Sequence, residues 1–400
     1  MSKIFNVLGY VVIISQIFSI NVPILSFNIA GYTIKYILFY IFIILSIVKW
    51  FAQIITHMKI KKVDLFFVCF IFFPYFIGMI MGWNIQDIIE ESILFIMPFA
   101  VYTWSESENL DKDKFIKIFF FTVILGAVVS VMVALRIIET DIWAANDQFV
   151  RAAGAVDSTL FLGGAIMSFI MLFVCSEEQN ETSKLFATIT FVSGIIGLLF
   201  SQSRSRIALF LMLIGCFLVF NLFYKKSKWG NVKILSFVCV SILVIWLWFP
   251  EIFAQIINQV QARFETLNDE NIVFRQTESA VQIDAFLKSP LFGLGWGSRA
   301  QFQNMYVHNI YSTLLMQGGI IFFGCFIIWF FNFIKTILYD INKIGINCEN
   351  IICLTFWGIL FILGFSNAGF VLTGGYFMLL YIFLCDSKFN SIHYRRFSEK

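Results

Sequence analysis

Apolar runs of membrane-spanning length recur from one end of this 400-residue chain to the other, separated by short polar stretches. Crossing the hydrocarbon core of a bilayer takes about 20 helical residues. Within that core every backbone N–H and C=O must be paired, which leaves helices or a closed barrel. Long continuous runs without two-residue alternation select helices. Composition agrees: 60% of residues are hydrophobic and 18% aromatic, with 51 Phe, and only 13% are charged. Soluble domains carry about a quarter charged residues. The expected fold class is an all-α polytopic integral membrane protein.

Reading apolar runs against polar punctuation predicts about twelve transmembrane helices: 6–20, 34–55, 64–82, 88–104, 115–137, 159–175, 185–201, 207–223, 234–250, 309–334, 350–366 and 370–385. The first is read as a retained helix, because it lacks the small-residue cleavage site of a secretory signal. With the N-terminus inside, 19 of the 28 Lys and Arg fall on inner loops or inner helix ends and nine outside. That is the asymmetry of the positive-inside rule, so both termini are expected in the cytoplasm. Residues 1–400 form one transmembrane domain on this reading. Between spans 9 and 10, residues 250–307 are too long and polar for a simple connection and are expected to form an external loop subdomain. Within it, QIINQVQARFETL and NIVFRQTESAVQIDAFLKSP have helical apolar spacing, and GLGWGS at 293–298 breaks that pattern. The eight Cys contain no CxxC pair, so they are read as packing residues, without a disulfide or a thiolate metal site.

The nine external basic residues are Lys35, Arg136, Arg151, Arg204, Arg206, Arg263, Arg275, Lys288 and Arg299; seven are Arg, whereas the inner side is almost all Lys. Topology is served equally by either residue. Guanidinium on the disfavoured side points to bidentate recognition of an anion such as phosphate. The competing reading is simple pairing with external acids such as Glu265, Asp269 and Glu278. SQSRSR (201–206) opens the eighth span and His308-Asn309 the tenth. Both run inward, so both present helix N-termini, which attract anions, to the outer face. Arg204 and Arg206 face different sides of a helix, so one of the two is expected to enter the site. His308 is the only external His, read as functional beside the Arg set. It has no second His or carboxylate at ligand spacing, so no metal site is expected. The glycines of GLGWGS do not follow a strand and open a helix, which excludes a dinucleotide fold. Glu90 and Glu91 are read as external helix-end acids that suit the N-terminal dipole, with a buried proton or ion site as the alternative.

SQSRSRIALFLML, then Arg263 and Arg275, then KSPLFGLGWGS and MYVHNIYSTLLMQGGIIFFG resemble the O-antigen polymerase and ligase superfamily of bacterial surface-polysaccharide assembly. The resemblance lies in an Ser-Arg pair opening a span, P-x-x-G-x-G before a helix, and H-N-x-Y with a Gly pair ten residues after the His. It covers roughly residues 200–325. Arg151 in VRAAGAV is similar to the family's Arg-x-x-Gly element. The resemblance implies a GT-C-like, metal-independent inverting glycosyltransferase without a cofactor, in the bacterial inner (cytoplasmic) membrane with its site on the periplasmic face. The donor is then a glycan on undecaprenyl diphosphate, held by Arg204 or Arg206, Arg263, Arg275 and Arg151. His308 would deprotonate or orient the acceptor hydroxyl, or donate to the diphosphate. Polymerisation of lipid-linked repeats is the favoured activity, with ligation to lipid A-core second. A lipid-linked-oligosaccharide flippase is disfavoured, since the sequence shows neither polar span interiors nor internal repeats. Membrane lipid, a chain-length regulator and a flippase of the same pathway are the implied partners, and nothing points to nucleic acid.

Overall fold

The computed structural model describes residues 2–17, 28–29, 32–57, 62–106, 110–134, 137, 156–175, 181–201, 203–220, 270–302, 309–345, 347–365 and 375–385, with scattered positions between 236 and 258. Helices run Ser2–Ile17 (α1), Ile34–His57 (α2), Lys62–Ile80 (α3), Ile85–Ser105 (α4), Lys112–Ala134 (α5) and Ser158–Phe169 (α6, continued by a π turn, Ile170–Val174). They continue as Glu181–Ser201 (α7), Arg204–Phe220 (α8), Glu270–Lys288 (α9), Ile310–Ile344 (α10), Cys348–Gly364 (α11) and Gly375–Cys385 (α12). A short antiparallel hairpin, Asn28–Ile29 (β1) with Tyr32–Thr33 (β2), precedes α2. The predicted spans coincide with helices to within about five residues, save that the span predicted to end at 334 continues as helix to Ile344. The span predicted at 234–250 lies outside the described residues apart from a few helical positions.

By length and apolarity α2, α5, α7 and α10 can each cross a bilayer, and α4 makes a fifth if its bent halves are one span. α6 with its π turn, α8, α11 and α12 are apolar but shorter. The chain is an all-α polytopic membrane protein. α2 shows the pattern: Phe39, Phe42, Ser46 and Trp50 are buried, while Ile44, Val48, Phe51 and Ile55 form an exposed stripe at three- and four-residue spacing. Such a stripe suits lipid, because acyl chains are as apolar as Leu.

α6 lies at the centre, with all twelve of its residues buried. α5, α7 and α8 pack around it. Small residues set the approach: a side chain at Gly164 would meet Val123 of α5, and one at Gly194 would meet Ala165. Elsewhere aromatic edges fill the interior, as where Phe330 of α10 meets Trp357 of α11 at 4.7 Å between ring centroids.

At one end of the bundle Lys112 of α5 pairs with Glu349 of α11. There too Trp104 donates to Asn6 at 3.1 Å and Lys49 to the Thr103 carbonyl at 3.2 Å. Alternating helix directions then bring the α3–α4 turn and the starts of α6, α8 and α10 to the opposite end. Two of these helices are bent. In α4, Ile85–Ser92 and Ile96–Ser105 meet at 45°. Pro98 accounts for this, since it lacks an N–H and its ring crowds the carbonyl four residues back. α10 has 35 residues, about 52 Å at 1.5 Å each, well beyond a core of about 30 Å. It too is interrupted, at Gly319, close to its outer end.

Candidate functional site

Hydrogen-bond bookkeeping at Gly319 explains the frame of the site. An unbroken helix pairs Ile320 N–H with the Met316 carbonyl and Ile321 N–H with that of Gln317. At Gly319 the backbone leaves the helical region (φ 66°, ψ −173°), which pulls such pairs apart. The segment following α9 replaces them. Met316 and Gln317 carbonyls accept the N–H groups of Leu294 and Gly295, both at 2.8 Å. Ile320 and Ile321 donate to the carbonyls of Pro290 and Leu291 at 2.9 and 3.4 Å. The break therefore leaves these four groups satisfied, as membrane-embedded backbone requires.

This splice gives the glycine motifs their physical meaning. Gly293 and Gly295 have φ of 70° and 78°, a region that side chains disfavour. A Cβ at Gly293 would sit 2.5 Å from the Gln317 carbonyl carbon, and one at Gly295 would strike the backbone of Gly78 in α3. On that flank Trp296 N–H donates to the Pro74 carbonyl at 2.9 Å, and Trp83 Nε1 to the Leu294 carbonyl at 2.6 Å. The P-x-x-G-x-G segment and the Gly318-Gly319 pair are thus two sides of one contact.

Beyond the splice, the chain makes a 3-10 turn, Ser298–Phe302, and α4 supplies its cap. Glu91 accepts Gly297 N–H at 2.8 Å, Ala300 N–H at 3.2 Å and Gln317 Nε2 at 2.5 Å. The expectation that Glu91 serves the dipole of its own helix end is corrected here: it is only 6% exposed, and the N–H groups it neutralises arrive from residues 297–300. Glu90 does sit at the exposed surface, bonded by Gln86 at 3.1 Å. Glu91 and Gln317 also correct the reading that the span interiors lack polar residues. Arg299, in the turn, lies in the fields of Glu91 and Glu278. Burial pulls its pKa below the ordinary value, while the two carboxylates act in the opposite direction.

α9 packs along α10 through Glu278, Gln282 and Ala285, all buried and spaced four and three residues apart. Ser312 and Thr313 hydroxyls donate to Gln282 Oε1, the latter at 3.4 Å. Arg275 also lies on α9, three residues before Glu278 and seven before Gln282. Asn309 caps α10, its Oδ1 accepting Tyr311 and Ser312 N–H groups at 3.0 and 3.3 Å. Tyr311 Oη donates to the Phe361 carbonyl at 2.6 Å, tying α10 to α11. In H-N-x-Y, then, Asn is the cap and Tyr the tether. His308 directly precedes that cap but lies outside the described residues, as do Arg151 and Arg263.

Arg204 opens α8. Arg206 is 8% exposed, its Nη1 donating to Ser203 Oγ at 3.3 Å and Ser205 Oγ at 3.2 Å. α8 packs on α6 and α7. The structure sets Arg206 within the α6–α8 group, at the same end of the bundle as the start of α10. Among the described residues, no three His, Cys, Asp or Glu side chains are grouped to hold a metal ion. Sequence reasoning missed the contact of Glu91 with Gln317 and that of Gln282 with Ser312 and Thr313. A signal existed in each: an acid or amide interrupting an apolar face at helical spacing.

Residues 189–327 match the family model described as O-antigen ligase (Wzy_C). The matched segment runs from α7 through the break in α10. It contains Arg204, Arg206, Arg263, Arg275, the glycine segment and His308, and leaves out Arg151 and Glu91. Among curated proteins, none matches the chain.

Proposed function

From its place in the O-antigen polymerase and ligase superfamily, carried by residues 189–327, we propose that this protein polymerises lipid-linked oligosaccharide repeats into a surface polysaccharide. The family comprises glycosyltransferase-like enzymes acting on lipid-linked glycans in surface-polysaccharide assembly. The observation that carries the reading is the family match over the segment that holds Arg204, Arg206, Arg263, Arg275 and His308. In the proposed reaction the donor is a glycan on undecaprenyl diphosphate at the periplasmic face of the inner membrane, with both protein termini in the cytoplasm. An acceptor hydroxyl attacks the anomeric carbon, the bond from that carbon to the phosphate oxygen breaks, and the configuration inverts. His308 takes the hydroxyl proton. Arg263, Arg275, Arg206 or Arg204, and Arg151 meet the negative charge that gathers on the departing diphosphate, an electrostatic role that needs no metal ion. The burial of Arg206 at the start of α8 supports its part in this assignment.

The second reading is ligation of finished glycan to lipid A-core, favoured by the family model's own description as O-antigen ligase. Deletion of the gene, followed by gel analysis of surface polysaccharide, separates the two. Loss of a polymerase leaves single repeats on the core; loss of a ligase leaves bare core. A surface polysaccharide identical to wild type would remove both.

A further inference from the structure

Glu91 lies outside the family-matched segment, on α4, yet three groups it binds lie 206, 209 and 226 residues further along the chain, within that segment. Its two oxygens divide the work. Oε2 accepts from Gly297 N–H and Gln317 Nε2, and Oε1 from Ala300 N–H. One carboxylate thereby joins α4 to the 3-10 turn and to α10 immediately before its break. Arg299 extends the connection, since Glu91 and Glu278 both act on it, and Glu278 is buried on α9 one turn after Arg275. A carboxylate in a bilayer-embedded helix is expensive. Capping a short turn alone is within reach of a neutral Ser, Thr or Asn. What a carboxylate adds is charge-assisted bonds to several donors at once, together with attraction to Arg299.

We infer that Glu91 is a positioning residue: through Gln317 and Arg299 it sets the outer part of α10, whose cap directly follows His308 in the chain, and the helix α9 that carries Arg275. This rests on the function proposed above. Both helices it joins, α4 and α10, are bent at this level, so neither fixes the geometry by its own continuity. A displacement of about 1 Å in a catalytic group can lower a rate on the order of a hundredfold.

The test uses the purified full-length protein and two readouts. One is the kcat and KM for lipid-linked repeats. The other is amide hydrogen exchange over residues 293–302. Glu91→Gln keeps the side-chain shape but replaces an acceptor oxygen with an amide donor facing other donors. It is expected to lower kcat by about tenfold or more with KM changed by less than about threefold, and to speed exchange over 293–302 while α6 stays unchanged. Adding Gln317→Glu places a carboxylate on the other side of the same 2.5 Å contact and is expected to restore most of kcat and of the protection. Should Glu91→Gln fail to accumulate, Gln317→Leu removes one of the donors to Glu91, keeps the carboxylate, and is read the same way. Wild-type kcat in Glu91→Gln overturns the inference. So does a loss that only tracks the amount of folded protein, or a double variant with restored protection and no recovered kcat. If the wild-type protein transfers no glycan, the functional reading fails. Exchange over 293–302 then still decides the connection, and unchanged exchange in Glu91→Gln sinks it.

Discussion

Replacing Gly319 by Ala attacks the splice at the point where α10 itself leaves helical geometry. The native φ of 66° with ψ of −173° is nearly confined to glycine, and holding Ala there costs about 1–3 kcal/mol. The new Cβ would also collide with the Leu291 carbonyl, which is one of the splice's acceptors. Relief comes if residues 290–295 withdraw and α10 straightens. Four loop-to-helix bonds are then lost, and the helical pairs Met316–Ile320 and Gln317–Ile321 re-form. The deficit is two hydrogen bonds, each worth about 0.6 kcal/mol in a membrane protein. That deficit is the same with Gly or Ala at 319, so the strain alone sets the change: the docked state is expected to lose about 1–3 kcal/mol, a rise in the undocked population of about 5- to 150-fold. Amide exchange over 289–302 in detergent micelles measures that population directly. Gly324→Ala is the control, because an added Cβ there meets nothing within 4 Å and Ala favours helix. Equal protection of the segment in Gly319→Ala and Gly324→Ala would refute the idea that the glycine sustains the splice.

Arg275→Lys keeps the charge but not the fork. It is expected to reduce polymer formation about ten- to a hundredfold, from the roughly 1.5–3 kcal/mol of a charge-assisted hydrogen bond, with normal protein levels by immunoblot. Wild-type activity in both Arg275→Lys and Arg263→Lys would leave only ion pairing as their role. His308→Ala is expected to abolish polymer while the protein still accumulates, and loss of activity only alongside loss of protein would return the residue to structure. A general base works in its neutral form, so wild-type activity is expected to fall on acidification if His308 is that base. A rise on acidification would instead mark His308 as a donor to the diphosphate. Cysteines placed at Gln276 and Asn146 should be labelled from outside by impermeant reagents and one at Ser227 should not; the reverse pattern would invert the topology and remove the periplasmic site.

Where the helices lie was legible in the sequence because apolar run length is a one-dimensional property. The run at 34–55 became Ile34–His57, and that at 185–201 became Glu181–Ser201. α10 outran its predicted end at 334 because FNFIKTILYDINKI stays helical after leaving the apolar zone, ending at Gly345 with φ of 90°. The candidate site was legible as a set of residue types but not as an arrangement. P-x-x-G-x-G and Gly318-Gly319 were visible as motifs, yet nothing local says that they exchange backbone hydrogen bonds. Glu91 was misread for the same reason. A carboxylate near a helix start looks like a partner for its own dipole, and the donors that claim it lie more than 200 residues away. Long-range pairing of polar groups leaves no periodicity to read.

That separation has a consequence for biogenesis. Ribosomes add about 5–20 residues per second. Between synthesis of Glu91 and of the donors 206 to 226 residues downstream, about 10–45 seconds elapse. Throughout that interval α4 carries a carboxylate without its eventual partners, at the rim of a bilayer that penalises acidic side chains. The first half of the protein is therefore expected to wait, with α4 shallow, tilted or held by the insertion machinery, until the glycine segment emerges and lets it settle. Truncated chains ending before residue 297 should leave α4 accessible to water-soluble reagents along a length that the complete protein protects.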